Sequence, residues 1–201
     1  ISGESWSPVI TELDPWNGYV VYNRMSTDQV ITLDPSVSSN TTAVRKVEER
    51  GWLMSLSLSS GDHGDHINAL GALEKAENGL EWHDNPEIRS PGAGVSLFFK
   101  LEDEALELTS DIRSLDQQVK LWDMHVRSDT DSDVDLSWSV VQDLPADVDI
   151  RLVDLSTRNV INMKDETQLS LGALDPRYDR RVKIVAGEES EVAARIGDVL
   201  S

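Results

Sequence analysis

Strict alternation of apolar and polar residues is the feature that most limits the fold of this chain. In VDLSWSV (134–140) every second side chain is apolar, and Asp or Ser stands between them. Because successive side chains of a β-strand point to opposite faces, this pattern predicts a strand with one face in a core and the other in water. WLMSLSL (52–58) and KLWDMHV (120–126) alternate in the same way, the latter with Asp123 and His125 on the outer face. The chain is therefore predicted to consist mainly of half-buried antiparallel strands.

Further short runs complete the predicted strands. They cover residues 95–101, 149–155, 159–164, 167–173 and 181–187. Segments rich in Pro, Gly, Asn and Asp separate these runs, and short strands with frequent turns are typical of β-sandwiches. We expect an all-β fold, an antiparallel sandwich of jelly-roll or Ig-like character over residues 45–188, with few short helices. An N-terminal β-hairpin within residues 1–35 is expected to pack on this sandwich or to be joined to it by residues 36–44.

Two segments carry a pattern that suits a helix. INALGALEKAEN (67–78) predicts a short helix, because its apolar residues recur at helical spacing. SEVAARIGDVL (190–200) predicts either a short C-terminal helix or a linker, within a terminal segment of residues 189–201.

The charge of the chain limits its partners. Asp and Glu number 37 against 18 Lys and Arg, which gives a net charge of −19 over 201 residues. A chain this acidic repels phosphate backbones and anionic lipids, so neither nucleic acid nor a membrane surface is expected as a partner. The absence of Cys excludes disulfides, thiol catalysis and zinc–thiolate sites. No apolar run approaches the roughly 18 residues of a membrane span. No signal peptide is visible, and since the chain opens with ISGESW rather than Met, we expect a fragment or a processed product.

The segment SSGDHGDHINALG (59–71) is the first candidate site. Its Asp62, His63, Asp65 and His66 offer the carboxylate and imidazole ligands that divalent metals bind. The two His residues share a face only if the chain turns helically between them, because residues three apart lie on opposite faces of a strand. A metal site, a solvated surface turn and the centre of a metal-dependent enzyme remain open interpretations. His83 and Asp84 would complete a metal site if the two loops meet.

A second acidic cluster lies in SDTDSDVDLSWSV (128–140). Asp129, Asp131 and Asp133 match positions 1, 3 and 5 of an EF-hand loop, but Val134 and Val140 stand where such a loop needs Gly and Glu. The segment therefore predicts a hairpin turn between strands 119–127 and 134–140. Its carboxylates are either solvated or hold Ca²⁺ weakly as a structural ion.

Aromatic residues suggest one ligand-binding surface. Trp52, Trp122 and Trp138 fall on the apolar faces of predicted strands and are expected in the core. Trp82, beside His83 and Asp84, is the best candidate for an exposed platform that stacks on a sugar.

Motifs of catalysis are missing from the sequence. It contains no G-x-S-x-G nucleophile elbow, no phosphate-binding G-x-x-x-x-G-K-[ST] motif and no strand-to-helix G-x-G-x-x-G motif. No catalytic residue and no cofactor is therefore predicted.

The order of segments resembles an accessory module of large secreted bacterial proteins. ITELDPWNGYVVYN is similar to that module's "lepGkGYwvy" segment. RGWLMSLSLSS and the residues that follow it, through VSLFF, resemble its "GW-x-l-x-l" strand, polar loop and "v-x-lyF" strand. DIRLVDLSTRNVINM and RRVKIVAG resemble its closing strands. The likeness covers most of residues 8–187, but the GDHGDH loop carries more His than the module's pattern has.

This module typically precedes a C-terminal sorting domain or an FlgD-like Ig domain in cell-surface proteins, those with type IX secretion tails among them. The resemblance implies a non-catalytic β-sandwich at an extracellular or cell-surface location, with a role in adhesion, assembly or domain spacing. Its partners would be other domains of a longer chain or further copies of itself. The alternatives are a carbohydrate-binding module with a structural calcium ion, whose partner is a glycan, and a metal-dependent enzyme that uses residues 62–66.

Overall fold

A computed structural model describes residues 49–81, 83–87, 94–101 and 106–201 of the protein. Within them the chain forms eleven strands and one helix. They are β1 (Gly51–Ser60), β2 (His63–Leu73), β3 (Asn85–Pro86), β4 (Val95–Lys100), β5 (Glu107–Ser114), β6 (Lys120–Ser128), β7 (Asp133–Gln142), β8 (Asp149–Asp154), β9 (Asn159–Asn162), β10 (Gln168–Ala173), β11 (Arg180–Gly187) and α1 (Glu189–Leu200). The predicted N-terminal hairpin and the segment 36–44 lie outside the described residues.

The strands form one mixed sheet in the order β10-β7-β1-β2-β5-β4-β6-β11-β8-β9, with β3 paired to β5. The prediction of an all-β fold is confirmed. The prediction of a purely antiparallel sheet is wrong at one place, because β2 and β5 run parallel from Ala69↔Ser110 to Leu73↔Ser114. The chain passes through β3 and β4 before it returns beside β2, and this crossover lets β5 run in the same direction as β2. The described strands form one continuous sheet, so two separate sheets of a sandwich are not confirmed.

The sheet curls until its two halves meet across a shared core. One half is β10-β7-β1-β2 and the other is β4-β6-β11-β8-β9, and β5 pairs with both. In the order of hydrogen-bonded strands, β2, β5 and β4 stand between β1 and β6. The rings of Trp52 on β1 and Trp122 on β6 nevertheless lie 5.9 Å apart in an edge-to-face contact. The three Trp residues predicted for the core, including Trp138, are all buried, as are the apolar residues that alternate with them on β1 and β6.

The predicted helix over residues 67–78 is wrong, because most of that segment belongs to β2. This strand pairs with β1 from Gly51↔Leu73 to Ser60↔His63 and with β5 on its other side. Gly71 allows the close approach of β1, since a Cβ atom at this position would overlap the carbonyl oxygen of Trp52. Pairing on both edges outweighs the helical preference of the Ala and Leu residues, which is a weak local effect.

The predicted hairpin between β6 and β7 is also wrong. β6 pairs with β4 and β11, whereas β7 pairs with β1 and β10. Residues 129–132 therefore carry the chain from one half of the curled sheet to the other. Alternation in the sequence identifies each strand but holds no information on its partner.

Helix α1 and strand β5 complete the description of the fold. The C-terminal segment forms α1, which buries Val192 against the domain. Strand β5 had no counterpart among the predicted strands, because its buried residues include the polar Thr109, Ser110 and Asp111. In the part of the chain that the structure describes, no helix is long and apolar enough to cross a membrane.

Substitution of Gly71 by Ala tests the close contact of β1 and β2. The added Cβ would overlap the Trp52 carbonyl and lie 2.7 Å from Leu53 Cδ2, so we expect a loss of about 2 kcal/mol or more in the free energy of unfolding. Urea denaturation measures this loss. Gly197→Ala is the matched control, because a Cβ there meets no atom within 4 Å and Gly197 lies in α1. It should raise stability by up to about 1 kcal/mol, and equal effects of the two substitutions would contradict the packing described for Gly71.

Candidate functional site

The first predicted site, residues 62–66, lies at the hairpin that joins β1 to β2. Gly61 and Asp62 form the turn, and the exposed His63 begins β2. The imidazole of His66 folds over Gly64, where a Cβ atom would overlap its Nε2. Among the described residues, no group of three or more His, Asp and Glu side chains is arranged to hold a metal ion. The metal site stays a prediction.

Asp65 has a structural contact of its own. Its Oδ2 accepts a hydrogen bond of 2.8 Å from the backbone amide of Leu97 on β4, and its Oδ1 accepts one of 2.7 Å from Asn68 Nδ2. Burial raises the pKa of the Asp65 carboxyl, and the hydrogen bonds from Leu97 and Asn68 oppose that rise. The carboxylate therefore ties β2 to β4, two strands that are not neighbours in the sheet.

The second predicted site lies in the connection between β6 and β7. Asp129, Asp131 and Asp133 are all exposed there. Hydroxyl groups hold this connection, since Thr130 Oγ1 lies 2.7 Å from Ser60 Oγ and 2.9 Å from Ser128 Oγ. The carboxylates are free to face water, and weak Ca²⁺ binding by them stays a prediction.

The third predicted site is a ligand-binding surface formed by Trp82, His83 and Asp84. Trp82 lies outside the described residues. Asp84 is buried, and its carboxylate accepts hydrogen bonds from the backbone amides of Ile112 (2.9 Å) and Glu81 (3.0 Å). Burial raises the pKa of the Asp84 carboxyl, and these amides oppose the rise. Asp84 thus fastens the segment between β2 and β3 to β5.

His83 is enclosed by two carboxylates. Its Nε2 lies 3.1 Å from Glu49 Oε2, and its Nδ1 is hydrogen-bonded to Glu81 Oε1. Its backbone carbonyl accepts a 3.1 Å hydrogen bond from Ser110 Oγ. The side chain is 7% exposed, and its contacts anchor this loop. The ligand-binding surface stays a prediction.

A buried ion pair, absent from the sequence-based predictions, adjoins Asp84. Asp111 is 1% exposed, and its Oδ2 accepts a 2.6 Å hydrogen bond from Arg113 Nη2. Arg113 Nη1 donates to the carbonyl of Asn78 at 3.0 Å, and Trp122 Nε1 donates to the backbone carbonyl of Asp111 at 2.9 Å. Burial raises the pKa of the Asp111 carboxyl from 3.8 to about 6, although the neighbouring Arg113 opposes the rise. The pair links the loop before β3, strand β5 and the aromatic core.

A cleft of about 350 Å³ opens beside this ion pair. Segment 78–80, strands β4, β5, β6 and β11, and helix α1 supply its walls. Its charged lining is predominantly basic, in contrast to the acidic chain as a whole. The lining residues come from six parts of the sequence, so no single motif could have revealed the cleft.

A second charged cluster covers the outer face of β4, β6 and β11. His125 stacks on Phe98 with ring centroids 5.4 Å apart, and its ring nitrogens lie 3.4 Å from Asp123 and 3.6 Å from Asp179. Burial raises the pKa of the Asp123 carboxyl, but the imidazole of His125 and the ammonium of Lys183 outweigh burial and hold that pKa well below its usual range. The outward direction predicted for Asp123 and His125 is correct, and the surrounding side chains bury His125.

The far end of β7 is an open edge of the sheet. Its pairing with β10 ends at Gln168↔Ser137, and one further hydrogen bond of 3.0 Å runs from the Trp138 amide to the Thr167 carbonyl. Among the described residues, no strand pairs with this edge beyond that point. Val140 and Val141 follow, and they are 52% and 66% exposed.

Comparison of the chain with protein-family models, curated proteins and solved structures finds no match. The resemblance to a secreted accessory module therefore remains a prediction from sequence motifs. In the part of the chain that the structure describes, the cleft and the open edge of β7 are two surfaces with room for a ligand or a further strand.

Replacement of Asp111 by Asn tests the buried ion pair. The folded-state pKa of about 6 lies above the ordinary 3.8, so the folded protein binds this proton more tightly than the unfolded chain. The contribution of Asp111 to the free energy of unfolding therefore falls as the pH rises from 4 to 7. Asp111→Asn lacks this titration. The difference in the free energy of unfolding between the variant and the wild type should therefore shift in favour of the variant across that range, by up to about 3 kcal/mol.

Urea denaturation at pH 4, 5, 6 and 7 measures this difference. Asp175→Asn is the control, because Asp175 is bound to Arg177 at the surface, which holds the pKa of its carboxyl at about 2. That substitution should leave the shape of the profile between pH 4 and 7 unchanged. Parallel profiles of the wild type and Asp111→Asn would show that the buried carboxyl does not titrate as described.

Proposed function

We propose that the chain is a non-catalytic accessory module of a secreted or cell-surface protein, in which it spaces or assembles other domains. Its curled sheet supports this role, because one aromatic core ties both halves of the sheet together. We further propose that the two halves act as the layers of a jelly-roll-like or Ig-like sandwich. The motifs shared with secreted accessory modules support the same proposal.

The open edge of β7 is the observation that carries the assembly role. The Trp138 amide points away from β1, since it donates to Thr167 beside β10. Peptide groups two residues apart in a strand point the same way, so the amide and carbonyl of Val140 also face the open side. An extended segment of a partner can pair with such groups and add a strand to the sheet.

The side chains at this edge favour a permanent or frequent partner. Proteins usually protect open edges with Lys, Pro or a bulge. Here Ser139, Val140 and Val141 are all exposed and include neither Lys nor Pro. The register with β1 shifts between Val140 and Gln142, so the bulge of this edge lies at Val141, beyond the outward groups of Val140. Gln142 holds the end of the strand in place, because its Nε2 donates to the carbonyls of Glu49 and Gly51 at 2.8 and 2.9 Å. The edge is thus a rigid template.

The charge of the chain indicates the kind of partner. Two copies with a net charge of −19 each repel one another, and pairing between copies would bring this repulsion to close range. A strand from another domain or protein that carries Lys or Arg avoids it. We therefore propose a basic extended segment as the partner of β7.

Titration with a probe peptide tests this proposal. Isotope-labelled protein is mixed with a hexapeptide of alternating Val and Lys, and NMR shifts are followed residue by residue. We expect shifts at Ser139, Val140 and Val141 that saturate with added peptide, because the peptide pairs with that edge. A peptide of alternating Val and Glu should bind at least tenfold more weakly, since it carries the same sign of charge as the protein.

Val140→Pro is the matched variant. It removes the outward amide, and Pro is tolerated at the open side of an edge strand, so the fold should persist while peptide affinity falls at least tenfold. Val160→Lys, a 43% exposed position on β9 at the opposite edge of the sheet, should leave affinity unchanged. Peptide binding that spares residues 139–141, or that survives Val140→Pro, would contradict the proposal.

A further inference from the structure

We propose that the cleft beside Arg113 is a binding site for a small organic acid that carries hydroxyl groups, of the size of a hexuronic acid. The cleft does not touch the open edge of β7, so this inference is independent of the assembly role. Three properties of its wall carry the argument: its charge, its unsatisfied polar atoms and its size.

The charge of the wall is opposite to that of the chain. Acidic residues outnumber basic ones by 37 to 18 in the whole sequence. The described lining of the cleft has four cationic side chains and one carboxylate, that of Asp123. The cations are Lys100, Arg113, Lys183 and Arg195. Such a concentration of one sign in a concave surface attracts ligands of the other sign.

Two of these cations are held by close carboxylates. Arg113 Nη2 lies 2.6 Å from Asp111, behind the wall, and Lys183 Nζ lies 2.9 Å from Asp123. These pairs position the side chains and make the wall rigid. The positive charge that is available to a ligand therefore comes from the remaining two cations, Lys100 and Arg195.

Lys100 and Arg195 are only loosely paired. Lys100 Nζ lies 3.7 Å from Asp179, whose two oxygens already accept hydrogen bonds of 2.8 and 3.1 Å from Arg127. Arg195 Nη1 lies 3.9 Å from Asp198, and that carboxylate is 75% exposed. Both distances exceed hydrogen-bonding range, and an exposed pair of this kind contributes little. Both side chains therefore have donors for a ligand carboxylate.

Unsatisfied polar atoms add a preference for hydroxyl groups. Arg113 Nε and Gln117 Oε1 are buried without a hydrogen-bond partner, and both residues line the cleft. A buried donor or acceptor without a partner costs about 1–3 kcal/mol. Within the described part of the wall, these two atoms are polar groups that the protein itself leaves without a hydrogen bond. Because one atom donates and the other accepts, the complementary ligand needs an acceptor and also an O–H donor.

The size and the apolar part of the wall suit a sugar ring. A volume of about 350 Å³ accommodates on the order of ten water-sized groups, which is close to the number of heavy atoms in a monosaccharide. Leu80, Leu101 and Leu121 supply an apolar surface for the C–H face of such a ring. A polyhydroxy acid therefore satisfies the charge, the polar atoms and the volume together.

Calorimetric titration with glucuronate, glucose and inorganic phosphate tests the inference. Glucuronate should bind with at least tenfold higher affinity than glucose, which has the same ring without the carboxylate. It should also bind at least tenfold more tightly than phosphate, which has charge but no ring. Equal binding of glucose would overturn the role of the cations, and equal binding of phosphate would overturn the role of the hydroxyl groups. No heat with glucuronate would overturn the inference as a whole.

The variant Lys100→Gln with Arg195→Gln locates the site. These side chains are 39% and 44% exposed, so their loss should leave thermal unfolding nearly unchanged while glucuronate affinity falls at least tenfold. Arg177→Gln with Arg158→Gln removes the same charge from residues outside the described lining and should leave affinity within twofold. Unchanged affinity in the first variant, or an equal loss in the second, would show that glucuronate does not bind in this cleft.

Discussion

The contact between Trp52 and Trp122 is the interaction on which the rest of the structure depends. A sheet of this many strands buries little if it stays flat, and its inner face would remain in water. The edge-to-face pair brings strands from the two halves of the sheet together and closes one apolar core between them. Large aromatic side chains suit a contact between the two halves, because each buries a large apolar area and aromatic rings favour the edge-to-face arrangement.

Where the sheet curls, backbone polar groups near β5 need hydrogen-bond partners other than a neighbouring strand. β5 pairs with β4 at Phe99↔Leu108 and then with β2 from Ala69↔Ser110. A strand that changes partner leaves backbone groups that the ladder does not satisfy. The carboxylate of Asp84 accepts a hydrogen bond from one of them, the amide of Ile112, and the carboxylate of Asp65 accepts one from the amide of Leu97 on β4. Asp65 and Asp84, which the sequence suggested as metal-binding or ligand-binding residues, thus link segments of the sheet.

Acidic residues take several structural roles in this domain. Some are buried with a raised pKa, such as Asp111, and others are held by cations with a lowered pKa, such as Asp179 beside Arg127. Other described carboxylates, such as those of Asp62, Asp129 and Asp131, are exposed in connections between strands. Basic residues are concentrated on the outer face of β4, β6 and β11 and in the nearby cleft. The charge of the described residues is therefore unevenly distributed over their surface.

Alternation along single strands could be read from the sequence, because the period of two is a local property of the chain. It identified the buried faces of β1 and β6 and the three Trp residues of the core. On β7 the predicted buried face is correct as far as Trp138 and wrong at Val140, which is exposed because β7 extends beyond β10 there. A surface turn at residues 62–66 and a C-terminal helix were each one of the alternatives that the local sequence left open. Partners, register and the direction of β5 were decided by tertiary structure, since polar residues such as Thr109 and Asp111 are buried only once other strands cover them. The cleft was decided in the same way: Lys100, Arg113 and Arg195 are distant in sequence, and only the curl of the sheet and the docking of α1 bring them to one wall.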